Sequence, residues 1–318
     1  MFVFIIRRVL QTIPVLLGVT LIVFSLLHLV PGDPAQIMAG ESAPKEQVEN
    51  IRERLGLNDP YHVQYWNYLS NLLQGDLGNS IRTGRDVTSE ISVRILVTVE
   101  LAFYSIVLSI FLGLIAGIVS AVKQYSIRDV SLMIIALFGL SMPNFWLGLM
   151  LIQWFAIGLD LPSWVPFFDN TAWFKPSGWG SFEQVVLPVI TLGTGGAAII
   201  ARMTRSSMLE VIDQDYIRTA RAKGAKERVV IYRHALKNAL IPVVTVVGLQ
   251  FGSLLGGTVL TETVFAINGM GKLVIDSIQA RDFPLVQGTV LVAALLFVLV
   301  NLIVDITYRY LNKRIDLN

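Results

Sequence analysis

Long, uninterrupted runs of apolar residues dominate the pattern of this chain. A helix needs about 20 residues to cross a hydrocarbon core about 30 Å thick, and six stretches reach that length. They lie at about 9–30, 97–121, 130–157, 185–203, 239–262 and 284–308. Because these runs lack the polar stripe of an amphipathic helix, they are typical of helices that contact lipid. The pattern predicts an all-α integral membrane protein in which 1–318 form a single transmembrane domain with six spans.

The longest polar interruption, 31–96, follows the first span and is long enough to fold outside the membrane as an external cap. Proline and glycine punctuation predicts two short helices in it, at about 44–56 and 59–75. The second helix has an aromatic face made by Tyr61, Tyr65, Tyr68 and Leu72. This face either lies in the membrane interface, where tyrosine is enriched, or docks an external partner.

The 25 lysine and arginine residues are distributed unevenly between the two sides of the predicted membrane. Sixteen fall on the side that carries both chain ends, including nine between Arg202 and Lys237. The other side has nine, although its segments are longer in total. Since loops rich in lysine and arginine stay in the cytoplasm, we predict that both termini are cytoplasmic.

Composition agrees with a membrane location and argues against a metal site, a phosphate-binding loop and enzyme activity in this chain. The chain is 54% hydrophobic and 15% charged, against about 45–50% and about 25% in soluble domains. It has no cysteine, and its three histidines are widely separated, so we expect no metal site. Gly271-Lys272 resembles the end of a phosphate-binding loop, but Leu273 stands where serine or threonine is required. We therefore expect no cofactor in this chain and no enzyme activity; any ATP must be bound by another chain.

Small residues and one proline predict how the spans pack. Glycines recur every fourth residue in the second and fifth spans, a spacing that favours close helix contact. They are Gly113, Gly117, Gly248, Gly252 and Gly256. In the fourth span, 193–198 has no bulky side chain and could bend, pack closely or border a cavity. Pro143 predicts a kink in the third span because proline cannot donate the helical hydrogen bond.

Ionisable residues of the spans lie near the span ends, where carboxylates can reach interfacial water. They are Glu100, Glu262 and Asp305. With no charge at mid-depth, an ion-coupled carrier is disfavoured, and no serine–histidine or paired-aspartate pattern supports an intramembrane protease. We expect a substrate path lined by neutral polar groups. The candidate lining residues are Asn144, Gln153 and Gln250.

The cytoplasmic segment 204–238 has the pattern of two short helices around a turn. Asp215 lies at the start of the first helix and Arg221 and Lys223 near its end, as the helix dipole favours. Gly224 then permits the left-handed conformation of a tight turn. A slim, charged helix-turn-helix on this face is suited to seat in a groove of a soluble motor protein.

The same segment carries a family resemblance. The sequence reads DYIRTARAKG at 215–224 and RHALKNALIPVVT at 233–245. It resembles here the permeases of bacterial ABC importers, specifically the oligopeptide/dipeptide family. The general permease signature fits poorly, because Arg218-Thr219-Ala220 stand where it has Glu-Ala-Ala. Further family-like stretches occur in order along nearly the whole chain, at 30–34, 75–80, 141–148, 202–211 and 261–271.

This resemblance implies a type I ABC importer permease fold and a place in the bacterial cytoplasmic membrane. It implies import of di- or oligopeptides, with this chain forming half of the translocation path. Glutathione, a nickel chelate or another small solute stay open as substrates, and an ion-coupled secondary carrier is a distant alternative.

The implied partners are a second homologous permease subunit, two ATP-binding subunits, an extracytoplasmic substrate-binding protein and the lipid bilayer; no nucleic acid is among them. The implied ATPase-coupling residues are Asp215, Arg218, Thr219, Ala220, Ala222, Lys223, Gly224 and Ala225.

The orientation can be tested with single cysteines, since the natural chain has none. We expect a cysteine at Ser70 to react with an impermeant thiol reagent on intact cells whose outer envelope has been made permeable. A cysteine at Ala225 should react only after the membrane is broken. The reverse pattern would contradict the predicted topology.

Overall fold

The structure is a computed structural model that describes residues 2–29, 33–40, 42–158 and 173–311. The last residue of the first predicted span, the start of the predicted cap and the basic tail beyond 311 lie outside these residues. The described part is helical, with one isolated bridge between Asn79 and Asp86 as its only β pairing. Its helices are α1 (Phe2–Leu29), α2 (Pro34–Ala39), α3 (Lys45–Arg54), α4 (Tyr61–Leu73), α5 (Val87–Val122), α6 (Ile127–Ser141), α7 (Asn144–Ile152), α8 (Phe182–Ile212), α9 (Asp215–Ala222), α10 (Glu227–Val229), α11 (Leu236–Gly257), α12 (Val259–Val264), α13 (Met270–Gln279) and α14 (Phe283–Leu311), with π-helical segments at Gln153–Ile157 and Val230–Ala235.

Among the described residues, five helical stretches are long and apolar enough to cross a membrane, and α6 with α7 makes a sixth if this bent pair is one span. The helices extend past several predicted span edges. The helix that contains the second predicted span begins ten residues before it, at Val87, and the helix that contains the fourth continues to Ile212. The predicted fifth span is divided, because α11 ends at Gly257 and α12 begins at Val259.

The third span is broken rather than merely kinked. Helix α6 ends at Ser141, α7 begins at Asn144, and the two axes differ by 98°. The break coincides with Pro143, whose ring removes a backbone donor at the position where α6 would otherwise continue. The predicted interruption at Pro143 is confirmed, and the change of direction amounts to a full break between two helices.

The described residues form two compact units: Met1–Thr98 with Asn268–Val298, and Val99–Ile267 with Leu299–Asn318. In the first unit, the buried carboxylate of Asp282 caps the N-terminus of α14. It accepts hydrogen bonds from the Ser80 hydroxyl and from the backbone N–H groups of Ile81 at 3.2 Å and Leu285 at 3.4 Å. A carboxylate at an N-cap satisfies N–H groups that a helix leaves open, so Asp282 holds the loop before α5 to the start of α14.

The two predicted cap helices are present as α3 and α4, and Gly56 and Gly75 follow them with φ of +64° and +80°. The aromatic face of α4 is nevertheless not free. The Tyr65 hydroxyl lies 3.0 Å from Thr20 Oγ1 of α1, and the Phe24 ring stacks edge-on with Tyr65 at 5.3 Å.

Helix α1 therefore covers part of the face that the sequence offered for docking or for the membrane interface. Tyr68 belongs to the same contact, with its ring 6.1 Å from that of Phe24. Burial, with a smaller contribution from neighbouring Tyr65, raises the pKa of Tyr68 to about 12, so this phenol stays protonated at physiological pH. Trp66, on another side of α4, remains 71% exposed.

Glycines bring α5 and α8 into close contact in the second unit. A Cβ added at Gly113 would lie 2.7 Å from the Ile200 side chain, and one at Gly117 would lie 2.5 Å from Cβ of Thr204. Since real Cβ atoms do not approach this closely, only glycine permits the observed packing. The predicted packing role is confirmed for these two glycines and for Gly248 beside Val304, but Gly256 has open space around it.

A buried ion pair fixes the turn between α5 and α6 to α8. Asp129 is 3% exposed and accepts hydrogen bonds from Arg205 Nε and Nη2, both at 2.8 Å. The same carboxylate accepts from the Ser120 hydroxyl and from the backbone N–H of Tyr125, which has a φ of +60°. Every hydrogen bond from a strong donor offsets part of the cost of burying this charge.

The carboxylates predicted at span ends differ in their surroundings. Glu100 accepts a hydrogen bond from Trp179 Nε1 at 3.0 Å. Glu262 has no solvent exposure and accepts from the Thr258 hydroxyl at 2.8 Å. The expectation that Glu262 reaches water directly is therefore wrong, because α12 buries its side chain within the second unit.

The α5–α8 contact generates a stability prediction. Gly117→Ala should destabilise the folded protein by about 1–3 kcal/mol, because the added methyl group must push the two helices apart. Gly256→Ala is the matched control, since it makes the same change where a Cβ meets nothing within 4 Å. Intrinsic tryptophan fluorescence during heating of the detergent-solubilised protein measures both, and equal melting temperatures for the two variants would contradict the prediction.

Candidate functional site

Helix α9 is attached to the second unit along one side. Ile217 has no solvent exposure and lies in an apolar cluster with Met208 of α8 and Ile118 of α5. The π-helical segment that leads towards α11 adds Val230 and Ala235 to this cluster. A single buried isoleucine, surrounded by three other elements, thus anchors an eight-residue helix that has little stability of its own.

The opposite side of α9 forms an exposed stripe, which we call the outer stripe. Its members are Asp215, Arg218, Thr219 and Ala222. The spacing i, i+3, i+4 and i+7 places these four residues along one face of a helix. Asp215 and Arg218 are 97% and 71% exposed, and their charged groups are 3.6 Å apart. Because so exposed a pair contributes little to stability, both charges are available to a binding partner.

A glycine turn ends α9 and fixes the direction of the chain that follows. Gly224 has a φ of +78°, its N–H donates to the Arg221 carbonyl at 2.9 Å, and the Ala225 N–H donates to the Ala220 carbonyl at 3.2 Å. These two bonds and the left-handed residue make a Schellman motif. The positive φ predicted for Gly224 is confirmed.

Two further contacts brace this turn. The Arg221 guanidinium donates to both carboxylate oxygens of Glu227, at 3.1 and 2.8 Å, and the neighbouring carboxylate raises the pKa of Arg221. Asn238 Nδ2 at the start of α11 donates to the Tyr216 hydroxyl at 2.7 Å. The helix-turn-helix is therefore tied to the base of α11 as well as to the end of α8.

The structure divides the predicted coupling residues into two groups. Ala220 and Ala225 are partly buried and pack against the Ile217 cluster. The others are exposed: Asp215, Arg218, Thr219, Ala222, Lys223 and Gly224. Of the two predicted coupling alanines on α9, Ala222 faces outward, and Ala220 faces the protein's own core.

The predicted path residues are also separated by the structure. Asn144 and Gln250 line the same cavity of about 240 Å³ in the second unit, between α5, the α6–α7 break, α8 and α11. Gln153 does not line it; its side-chain amide donates to the Gly158 carbonyl at 3.2 Å from the π-helical segment after α7. That segment turns Gln153 away from the cavity that Asn144 borders.

The small residues 193–198 both pack closely and border this cavity, within an unbroken α8. A Cβ at Gly193 would lie 2.8 Å from the Leu108 side chain, and one at Gly196 would lie 2.5 Å from Ser109 Oγ. Gly195 faces the cavity beside Asn144 Oδ1. Two of the three outcomes left open by the sequence, close packing and a cavity border, therefore occur together.

Sequence reasoning missed two parts of this region. Ser109 and Ser253 line the cavity, but serine in a long apolar span gives no signal of the direction in which it points. The Asp129–Arg205 pair was missed because its members are 76 residues apart and neither lies in a recognisable motif. Within the described ranges, no group of three or more histidine or carboxylate side chains could hold a metal ion.

Comparison with known proteins adds sequence evidence to this geometry. Residues 109–317 match the family described as binding-protein-dependent transport system inner membrane component, and 1–102 match the N-terminal family of such membrane components. The dipeptide transport system permease protein DppB of Alkalihalophilus pseudofirmus is 49% identical, with 97% of this chain and 98% of that protein covered. The glutathione transport system permease protein GsiC of Escherichia coli K12 is 42% identical, with 98% of each covered.

A solved structure agrees in fold. The MetNI methionine ABC transporter in an inward-facing conformation superposes with a TM-score of 0.57 at 18% identity, covering 70% of this chain and 96% of the matched chain. The helical architecture is thus that of a type I ABC importer permease. With two family matches that extend over almost the whole sequence and with its set of membrane-crossing helices, this chain belongs to the binding-protein-dependent transport system inner membrane components, the multi-pass permeases of ABC importers.

Proposed function

We propose that this chain is the permease subunit of an ATP-driven importer of di- and oligopeptides and that the outer stripe of α9 is its contact with an ATPase subunit. One observation carries the proposal: α9 is anchored through Ile217 on one side and exposes both charge and a small residue on the other. A helix held in this way can be pushed by a partner without losing its own packing.

The chemistry of the outer stripe suits a protein partner. Ala222 leaves room for close approach, and Thr219 and the charged pair offer hydrogen bonds at the rim of such a contact. Because α9 and its turn are braced by the Arg221–Glu227 and Tyr216–Asn238 contacts, little conformational entropy is lost when a partner binds.

The assembly follows from the same proposal. ATP is hydrolysed by two separate ATP-binding subunits, this chain pairs with a second homologous permease, and an extracytoplasmic binding protein delivers the substrate. Both termini lie in the cytoplasm, which places α9 on the same side as the ATPase subunits. No catalytic step occurs in this chain.

A peptide substrate is favoured by the relatives. The DppB protein, named for dipeptide transport, is 49% identical to this chain. Glutathione is the second candidate, favoured by the 42% identity of the GsiC protein. Both substrates contain amide bonds, and the uncharged polar groups of the cavity suit that shared feature.

The turn after α9 offers a sharp test of coupling. Gly224→Val should destabilise the local turn by about 1–3 kcal/mol, since a β-branched residue is strained at positive φ. No neighbouring atom lies within 4 Å of a Cβ at this position, so strain rather than collision causes the effect. Gly224→Asn, which tolerates the left-handed conformation, is the matched control.

We expect the valine variant to insert into the membrane normally and to co-purify poorly with the ATPase subunits, while the asparagine variant co-purifies as the parent does. Equal recovery of ATPase subunits with both variants would contradict the role of this segment in coupling.

Transport itself is tested with the full complex in liposomes. Alanyl-alanine loaded on the cognate binding protein should raise ATP hydrolysis several-fold and drive uptake of the peptide, whereas an imposed ion gradient without ATP should drive none. Stimulation by glutathione but not by alanyl-alanine would replace the peptide assignment and leave the importer intact. Uptake that needs an ion gradient and no ATP would overturn the importer itself.

A further inference from the structure

The cavity in the second unit is lined by polar side chains that make no hydrogen bond to another described residue. Asn144, Gln250 and Ser253 line it, and none of their side chains makes a hydrogen bond to another residue in the described part of the chain. Each carboxamide carries two donors and an acceptor. Asn144 and Ser253 are exposed and Gln250 is partly buried, so all three side chains can form hydrogen bonds with a molecule that enters the cavity.

Ser109 is the fourth polar residue of the cavity lining, and its hydroxyl already makes hydrogen bonds within the protein. Ser109 is fully buried, and its hydroxyl donates to the Ser105 and Gly193 carbonyls, both at 2.8 Å. Its proton is therefore used within the protein, and because the side chain has no exposed surface it offers a ligand no donor. The donors that a ligand meets in this cavity come from the two carboxamides and Ser253.

Charge is absent from the described lining of the cavity, which consists of amide, hydroxyl, glycine and aliphatic groups. A charged ligand group would lose its hydration here without gaining an opposite charge, which is costly at membrane depth. An uncharged amide instead presents one donor and one acceptor, which point in opposite directions in a trans peptide bond, so each can pair with a different carboxamide of the cavity.

Space in the cavity is kept open by glycine. Asn144 Oδ1 lies 3.3 Å from where a Cβ of Gly195 would stand, so an alanine there would crowd the amide oxygen. The volume of about 240 Å³ is below the range of about 300–1,000 Å³ that holds a whole drug-sized ligand. The cavity thus fits a short stretch of ligand rather than an entire oligopeptide.

From these observations we infer that the cavity is a binding site for an uncharged amide, namely a peptide bond of a transported oligopeptide that lies away from the charged chain ends. This inference rests on the proposed function as a peptide importer and adds the chemical group that the membrane domain recognises. Recognition through the main chain explains how one path can accept peptides with different side chains, because every peptide supplies the same donor and acceptor.

The test uses the assembled transporter in nanodiscs and a single reporter cysteine, Leu254→Cys, on the cavity wall of this cysteine-free chain. The probe is N-acetylalanine N′-methylamide, which is neutral and has two amide N–H groups; its fully N-methylated form is the control probe. We expect the amide probe to slow modification of the cysteine by a small neutral thiol reagent at least threefold. The N-methylated control probe should have no effect. Leu140→Cys, on another wall, is a second reporter in case the first variant does not fold.

Two further variants test whether the protection of the reporter cysteine arises from binding of the probe in the cavity. Asn144→Leu and Gln250→Leu should each abolish the protection, while Gly256→Ala, outside the cavity, should leave it unchanged. No protection at either reporter, or equal protection by both probes, would overturn the inference. Because this assay needs neither ATP nor the binding protein, its failure alongside ATP-driven alanyl-alanine uptake rejects the amide site alone.

Discussion

The close contact of α5 with α8 is the constraint on which the second unit depends. Gly113 and Gly117 leave no room for a Cβ where α8 crosses them, and Gly193 and Gly196 do the same in the opposite direction. Without a hydrophobic force between helices in lipid, contact of this kind is a main source of association. It also brings Ser109 within 2.8 Å of the Gly193 carbonyl, so one hydrogen bond locks the register of the two helices at the cavity.

Because that contact holds α8 in place, one helix joins the two functional regions. Residues up to Ile199 line the cavity, and Met208 packs beneath Ile217 of α9. Nine residues of α-helix span about 14 Å, and α8 is unbroken over this distance. Under the proposed function, a displacement of α9 by an ATPase subunit would act on the helix that shapes the cavity, and the Asp129–Arg205 pair would carry it to the start of α6.

The features that were predicted correctly from the sequence depend on a single residue or on a short stretch of chain. Continuous apolar runs located the membrane helices, Pro143 located the break between α6 and α7, and Gly224 located the left-handed turn after α9. Each of these features is set by the residue itself, through length, a missing donor or a missing Cβ. The match of DYIRTARAKG to a family added the function, which no periodicity could give.

Features that depend on distant partners could not be predicted. Tyr65 looked free because nothing in the sequence shows that α1 lies over it, and Glu262 looked accessible because its burial depends on how α12 packs. Gln153 was predicted to line the path by residue type; it does not border the cavity that Asn144 and Gln250 line, and its amide donates to the Gly158 carbonyl. Even the direction of Ala220 and Ala222 needed the position of the Ile217 cluster.

The central claim, that the outer stripe of α9 contacts the ATPase, is tested most directly by cross-linking. A cysteine placed at Ala222 in this cysteine-free chain, treated with a short bifunctional thiol reagent in the assembled transporter, should join the permease to a cysteine-bearing ATPase subunit. A cysteine at Ala220, two residues away and turned towards the protein's own core, should give little of this product. Efficient cross-linking from Ala220 with none from Ala222, or none from either in an active complex, would contradict the account.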